Sequence, residues 1–179
     1  DVASSLHILG VNNVIKGYFP NIEFNTVPHL KLVQFIEAAI ISTGAEVIIT
    51  HHPADLNNDH LHTSLACQAA VRLFQRRADV TPIRELLFME VPSATEWSLN
   101  KSMNVFSPNT FVEVGRVAVV KKIEALSRYR GVMRDYPHPR SAEVLTGLAA
   151  YRGGQAGMVY AEAFECVFRR GINYKRCGQ

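Results

Sequence analysis

Residues Glu46–His60 read EVIITHHPADLNNDH, and this order of side chains predicts an α/β protein. The apolar run Glu46–Thr50 is typical of a buried parallel strand. Pro53, Asp55 and the two asparagines after them favour a loop, and Leu61–Gln75 is predicted to be a helix. Open α/β sheets bind ligands beyond the carboxyl ends of their strands. The sequence therefore predicts a site in this loop.

Predicted strands and helices alternate along the rest of the chain. The predicted strands are Asn13–Phe19, Glu46–Thr50, Ile83–Val91 and Phe111–Val114, and the predicted helices are Asp1–Leu9, Val27–Ile41, Leu61–Gln75, Val117–Arg134 and Ser141–Tyr151. Pro92–Pro108 is predicted to be mostly loop, and Val159–Phe168 a short helix with an extended tail. This order implies a Rossmann-like, three-layer α/β/α domain with a largely parallel sheet.

The composition is that of an ordinary globular protein and narrows the function classes. The chain has 179 residues, 47% of them hydrophobic, and a net charge of +3, which is too mild to indicate a nucleic-acid partner. Its three cysteines have no CxxC spacing, which favours a reducing, cytoplasmic location. No apolar run has the length of a membrane span. There is no glycine-rich phosphate loop, which argues against a nucleotide-binding domain.

The loop concentrates side chains that bind metals. Residues 50–60 contain three histidines and two aspartates. His60 is the best candidate for a metal ligand, and Asp59 either binds the metal or orients the imidazole. His51 and His52 are neighbours in a strand, so only one of them can face the site. His138, between two prolines, is a candidate from another loop. Catalytic zinc usually takes three protein ligands, so these residues leave the site incomplete.

Six segments resemble the PIG-L/LmbE-like family of zinc-dependent N-deacetylases, in the order found in its bacterial members. They are His51–His60 (HHPADLNNDH), Phe88–Trp97 (FMEVPSATEW), Phe106–Val112 (FSPNTFV), Met133–Ser141 (MRDYPHPRS), Tyr151–Gly153 (YRG) and Tyr160–Phe164 (YAEAF). The resemblance covers nearly all of the chain. It implies a Rossmann-like fold and a hydrolase that removes the acetyl group from an N-acetylated amino sugar of the N-acetylglucosamine type.

The resemblance also implies roles for residues of the loop. His60 is expected to bind Zn²⁺, and Asp59 to support the site. Asn57 stands where many members carry a histidine near the developing oxyanion, and its amide can donate a hydrogen bond there. His138 is a further candidate catalytic residue, together with Asn57 and Asp59.

The expected substrate contacts are polar or aromatic side chains in loops that follow strands. They are Ser93, Thr95, Glu96, Trp97, Arg140 and Arg152. The face of a tryptophan beside polar groups suits a sugar ring. The two arginines suit sugar hydroxyls or a phosphate. The structural alternative for Arg140 is an ion pair with Glu143 or Glu162.

One part of the family pattern does not occur in this sequence. The first motif of the family, a His-Pro-Asp-Asp run, supplies two zinc ligands and the general base. We therefore expect residues 1–179 to form one deacetylase domain that lacks its N-terminal strands. The alternative is a non-catalytic or degenerate sugar-binding relative on the same fold. The expected partners are an N-acetylated sugar or glycoconjugate and further copies of the chain in a homo-oligomer, with no nucleic acid and no membrane span.

Overall fold

The computed structural model describes residues 1–99 and 105–171. Residues 100–104, within the predicted loop 92–108, and residues 172–179, with Cys177, lie outside the described residues. In chain order the elements are α1 Val2–Leu9, α2 His29–Thr43, β1 Val47–His51, α3 Asn58–Ala70, α4 Leu73–Arg76, β2 Glu85–Met89, β3 Thr110–Glu113, α5 Gly115–Ser127, α6 Ala142–Ala156 and β4 Ala161–Arg169. No helix in the described ranges has the length and apolar character needed to cross a membrane.

The predicted α/β class is confirmed, but the sheet is not largely parallel over the described residues. The strand order is β1-β2-β4-β3. Strands β1 and β2 are parallel, with Ile49 opposite Leu87, whereas β4 runs antiparallel to both β2 and β3. The cause is residues 161–169, which form a strand throughout, whereas the sequence favoured a short helix with an extended tail. Backbone pairing on both edges of β4 outweighs the helix preference of its alanine and glutamate residues.

A second prediction is wrong at Asn13–Phe19, where the structure has neither a strand nor a helix. The segment is anchored by its last side chain instead. The ring of Phe19 packs edge-on against Phe24 and Phe35, with centroid distances of 5.7 and 5.5 Å. The turn Phe24–Thr26 forms a short 3-10 helix that packs on α3. An aromatic contact therefore fixes this segment, and no strand of the described ranges pairs with it.

Helices cover both faces of the sheet, in three layers. On one face the core forms between β2 and the helices α2 and α3, and its buried side chains include Leu32, Ile40, Ala66, Ile83, Leu86 and Phe88. On the other face α6 packs against β4, and α5 packs against α1 and α6. Side chains alternate between the faces along each strand, so Ile49 and Met89 point away from the first core. They line a cleft beneath α5 and α6.

Gly153 marks the closest approach between α6 and the chain that leads into β4. The residue is buried within the helix. A Cβ atom there would lie 2.6 Å from the carbonyl oxygen of Met158 and 2.9 Å from that of Val159. Because both atoms belong to the backbone, the structure cannot relieve the overlap by rotating a side chain. At the neighbouring Gly154, a Cβ atom would have no other atom of the described residues within 4 Å.

We expect Gly153→Ala to lower the free energy of unfolding by about 1–3 kcal/mol, the usual cost of overpacking. The matched control is Gly154→Ala, which should raise it by up to about 1 kcal/mol because alanine is the better helix former. Urea denaturation of the two variants and the parent protein measures the difference. Equal stabilities for the two variants would contradict the close approach.

Candidate active site

The site lies where β1 ends and α3 begins, joined by the loop 52–57. His51 is the last residue of β1, and its ring stacks on that of His60 in the first turn of α3, with a centroid distance of 3.9 Å and an interplanar angle of 16°. His52 lies on the opposite side and is 2% exposed. As the alternation along a strand requires, only one histidine of the pair faces the site.

Asp55 fixes the orientation of His60. The Nδ1 atom of His60 lies 2.9 Å from Oδ2 of Asp55, whose side chain is 0% exposed. A buried carboxylate is an acceptor, so Nδ1 carries the proton and Nε2 is left unprotonated in the neutral imidazole. His60 also lines the cleft. A carboxylate that orients an imidazole in this way is the usual support of a metal-binding histidine.

Two buried polar atoms beside His60 have no hydrogen-bond partner among the described residues. They are Oδ1 of Asp55 and Nδ1 of His51. Burial, together with the charge of His60, lowers the pKa of His51 to about 4, although Asp55 acts in the opposite direction. His51 is therefore neutral at physiological pH. Buried polar atoms nearly always have a partner, so these two atoms are available to a ligand bound beside His60.

The residues around His60 fit part of a zinc site. His60 presents one oriented imidazole, and the two unpartnered atoms lie next to it. Over residues 1–99 and 105–171, however, no three histidine, cysteine or acidic side chains are grouped closely enough to hold a metal ion. Catalytic zinc usually has three protein ligands. The described part of the chain thus offers one ligand and its support, and it does not offer a complete set.

A cleft of about 800 Å³ opens in front of His60. Its floor is apolar and is formed by side chains from β1, β2, β4, α5 and α6: Ile49, Met89, Phe164, Leu126 and Leu145. Five of the predicted site residues line it, namely Asn57, His60, Ser93, Trp97 and Arg140. A large apolar cleft with a few convergent polar groups has the usual form of a small-molecule site.

Asn57 caps α3 at the edge of this cleft. Its Oδ1 atom accepts a hydrogen bond of 2.8 Å from the backbone N–H of Asp59. The cap uses the acceptor end of the amide, so the Nδ2 donor remains available. Asn57 can therefore donate to a ligand in the cleft without giving up its role in the helix.

A tight turn after β2 forms one wall of the cleft. Ser93 has a φ of +69°, a conformation rare for residues other than glycine. Its N–H donates to Glu96 over 2.5 Å, and Thr95 Oγ1 accepts from the N–H of Val91 over 2.7 Å. Thr95 and Glu96 thus hold the turn, and they line a smaller pocket of about 220 Å³. Ser93 and Trp97 line the main cleft.

The two predicted arginines have different surroundings. Arg152 makes two hydrogen bonds to Glu90, of 2.7 and 2.6 Å, and lines the smaller pocket. This contact raises the pKa of Arg152 and occupies its guanidinium group. Arg140 lines the main cleft, and its Nε atom is buried without a partner among the described residues. It pairs with neither Glu143 nor Glu162. Nζ of Lys122 lies 2.7 Å from the carboxylate of Glu162 instead.

Asp59 and His138 do not line the cleft. The carboxylate of Asp59 accepts hydrogen bonds from the backbone N–H groups of Ile22, over 2.6 Å, and Phe24, over 3.1 Å. Asp59 therefore secures the loop before α2. Neighbouring residues on an α-helix point in directions about 100° apart, so Asp59 does not point into the cleft that His60 lines. His138 accepts from the N–H of Arg140 over 3.0 Å, and its ring lies edge-on to Trp97 at 5.3 Å.

Asp55 is the residue beside His60 that the sequence pattern does not single out. It precedes His60 by five residues, across the start of a helix, whereas Asp59 is adjacent and attracted the prediction. The signal in the sequence that could have identified Asp55 is its position in the loop that precedes the helix. A residue in a turn before a helix can reach back to the first helical turn, while a residue next to His60 on that helix cannot share its direction. For His51 and His52 the sequence predicts that one of them faces the site, and the structure shows that it is His51.

No protein-family model and no curated protein sequence matches this chain. Solved structures do match. A conserved protein from Thermus thermophilus has a TM-score of 0.69 and 24% identity, over 97% of this chain and 74% of that chain. An N,N'-diacetylchitobiose deacetylase from Pyrococcus horikoshii has a TM-score of 0.66 and 14% identity, over 92% of this chain and 60% of that chain.

A 4-carboxy-2-hydroxymuconate hydratase from Pseudomonas putida has a TM-score of 0.69 and 20% identity, over 94% of this chain and 70% of that chain. At these identities the likeness is one of fold. The chain spans 60% of the deacetylase, so it matches only part of that enzyme. Because enzymes with different reactions share this fold, the function has to be argued from the site. The chain thus shares its α/β fold with a deacetylase and a hydratase.

Proposed function

We propose that the protein is a zinc-dependent hydrolase of the PIG-L/LmbE-like family that removes the acetyl group from an N-acetylated amino sugar. The observation that carries this proposal is the pair formed by His60 and the buried Asp55, at the mouth of a large cleft. The deacetylase among the matching folds supports the same reaction class. His60 is the proposed zinc ligand from the described residues, and the other ligands come from residues beyond them.

The chain's own residues bind and orient the substrate. Zinc, when bound, supplies Lewis-acid activation of water and of the acetyl carbonyl. Asp55 holds the imidazole of His60 in one tautomer and orientation. Asn57 donates its free amide N–H to the oxygen on which negative charge develops. Glu90 and Glu162, the glutamates that line the cleft, are both in ion pairs. The resemblance implies that the general base belongs to the His-Pro-Asp-Asp motif, which this sequence does not contain.

Trp97 provides the surface for the sugar ring. Trp97 lines the cleft and is 41% exposed, so part of the residue is accessible to a ligand. Sugars stack their apolar faces on aromatic rings, while nearby polar groups bind their hydroxyls. Ser93 lies in the same wall. We propose Ser93 and Trp97 as substrate contacts, and Thr95 and Glu96 as the residues that shape the turn carrying them.

The resemblance also bears on the domain organisation and the oligomeric state. We propose that residues 1–179 belong to one deacetylase domain, whose remaining strands are not among these residues. The family resemblance supports a homo-oligomer, and the cysteine pattern supports a cytoplasmic location. The alternative, a sugar-binding protein without catalysis, differs from this proposal in its metal content.

We expect the full-length protein to bind one zinc ion per chain and to release acetate from N-acetylglucosamine derivatives. His60→Ala should abolish both, because it removes a ligand. The matched control is His29→Ala, an exposed histidine outside the cleft, which should leave both unchanged. Metal analysis and an acetate assay, with and without a chelator, measure the outcome. Full activity after thorough zinc removal would refute the proposal, whereas the absence of both bound zinc and acetate release would favour the binding protein.

Asp55→Asn tests the support of the ligand separately. The amide keeps the shape and can still accept from Nδ1 of His60, but it loses the charge. We expect the affinity for zinc to fall by about 10–100-fold, as for other changes to groups that orient metal-binding histidines. Asp135→Asn, at an exposed position, is the control. Unchanged zinc affinity in a competition titration would show that Asp55 has no part in the site.

His51 predicts a pH dependence of stability in the zinc-free protein. Its pKa falls from 6.5 to about 4 on folding, so the unfolded chain binds more protons between these values. The free energy of unfolding should therefore decrease as the pH is lowered through this window, by about 1–3 kcal/mol from this residue. His51→Gln does not titrate there and should show a flatter profile. Parallel profiles in urea denaturation would contradict the assignment.

A further inference from the structure

We infer that the sugar bound in the cleft carries an anionic group, a carboxylate or a phosphate, and that Arg140 binds it. This inference rests on the proposed function for the sugar itself. The observation behind it is the guanidinium of Arg140, which lines the same cleft as His60 and Trp97 and has no partner among the described residues.

Arg140 is a charge without a partner in the described part of the chain. Arginine stays protonated at all physiological pH values. The Nε atom of Arg140 is shielded from solvent and makes no hydrogen bond with the described residues. No carboxylate in those residues lies within 4 Å of the guanidinium. A shielded donor on a charged group is costly, so it indicates that a partner binds there.

The other charged side chains near the cleft are already paired. Glu90 accepts two hydrogen bonds from Arg152, and Glu162 accepts one from Lys122. Among the fixed charges of the described residues that line the cleft, Arg140 is therefore the one without an ion-pair partner within 4 Å. A neutral sugar hydroxyl would satisfy the geometry of a donor but would not balance this charge.

The backbone of Arg140 is held in place by hydrogen bonds, which favours specific binding. Its N–H donates to Nδ1 of His138 over 3.0 Å, and its carbonyl accepts from the N–H of Arg134 over 3.2 Å. The next residue, Ser141, is fully buried and caps the 15-residue helix α6. The backbone at Arg140 is therefore ordered before a ligand binds, and no backbone entropy has to be lost there.

The chemistry of the ligand follows from the shape of the guanidinium group. Its planar set of donors matches the two oxygens of a carboxylate or a phosphate. The apolar floor and Trp97 bind the sugar ring in the same cleft. The substrate class is therefore an N-acetylated amino sugar with an acidic substituent, and either acid satisfies the guanidinium.

The test is calorimetric binding of three sugars to the zinc-free, full-length protein in a buffer without phosphate. The sugars are N-acetylglucosamine, N-acetylglucosamine 6-phosphate and N-acetylmuramic acid, which carry no acid, a phosphate and a carboxylate. We expect at least one acidic sugar to bind about 10–100-fold more tightly than the neutral one, as for a hydrogen-bonded charge. The better of the two acids identifies the source of the anion.

Variants assign the effect to the residue. Arg140→Gln should remove the preference for the acidic sugar, Arg140→Lys should keep part of it, and Arg116→Gln, at an exposed position, should keep all of it. Equal binding of neutral and acidic sugars to the parent protein would overturn the inference, whether or not any variant folds. A preference that survives in Arg140→Gln would do the same. Because no turnover is measured, absence of acetate release overturns the proposed reaction and leaves this result standing.

Discussion

The hydrogen bond between the buried carboxylate of Asp55 and Nδ1 of His60 is the contact on which the arrangement of the cleft depends. It ties the loop after β1 to the first turn of α3, so the loop cannot move without the helix. The backbone N–H of Leu56 then donates to the carbonyl of Ala94 over 2.9 Å and joins the same loop to the turn after β2. Hydrogen bonds to charged groups contribute roughly 1.5–3 kcal/mol each. One short contact thus aligns two walls of the site.

The polar groups of the cleft are few, and their pairing defines what the cleft can bind. Its floor is apolar, which strengthens every electrostatic contact made above it. Glu90 and Glu162 have their cations, whereas Arg140 and the buried atoms of Asp55 and His51 have no partner among the described residues. The unmet demand is therefore for a cation or donor near His60 and for an anion near Arg140. A metal ion would meet the first requirement, and the acidic group of a sugar would meet the second.

The elements that depend on neighbouring residues were predicted from the sequence. The strand, loop and helix over residues 46–60 were predicted, because the change from an apolar run to turn residues is contained in the sequence itself. The helix starts at Asn58 and not at Leu61, since Asn57 provides the cap. Strand β4 was missed, because its preference for extended structure comes from partners 48 to 84 residues away. The direction of side chains was the other feature that the sequence did not predict. Adjacency in sequence favours Asp59 as the partner of His60, whereas the structure pairs His60 with Asp55.

The position of β4 in the middle of the sheet has a consequence for how the protein is made. Its residues pair with β2 across register partners such as Glu85 and Arg169, and they also supply Phe164 and Glu162 to the cleft. On the ribosome the strands β1, β2 and β3 emerge first, but β2 and β3 have no shared edge until β4 lies between them. Closing such distant pairs is the slow part of folding. The cleft is therefore among the last features to form, and a nascent chain is without its binding site until β4 has been synthesised.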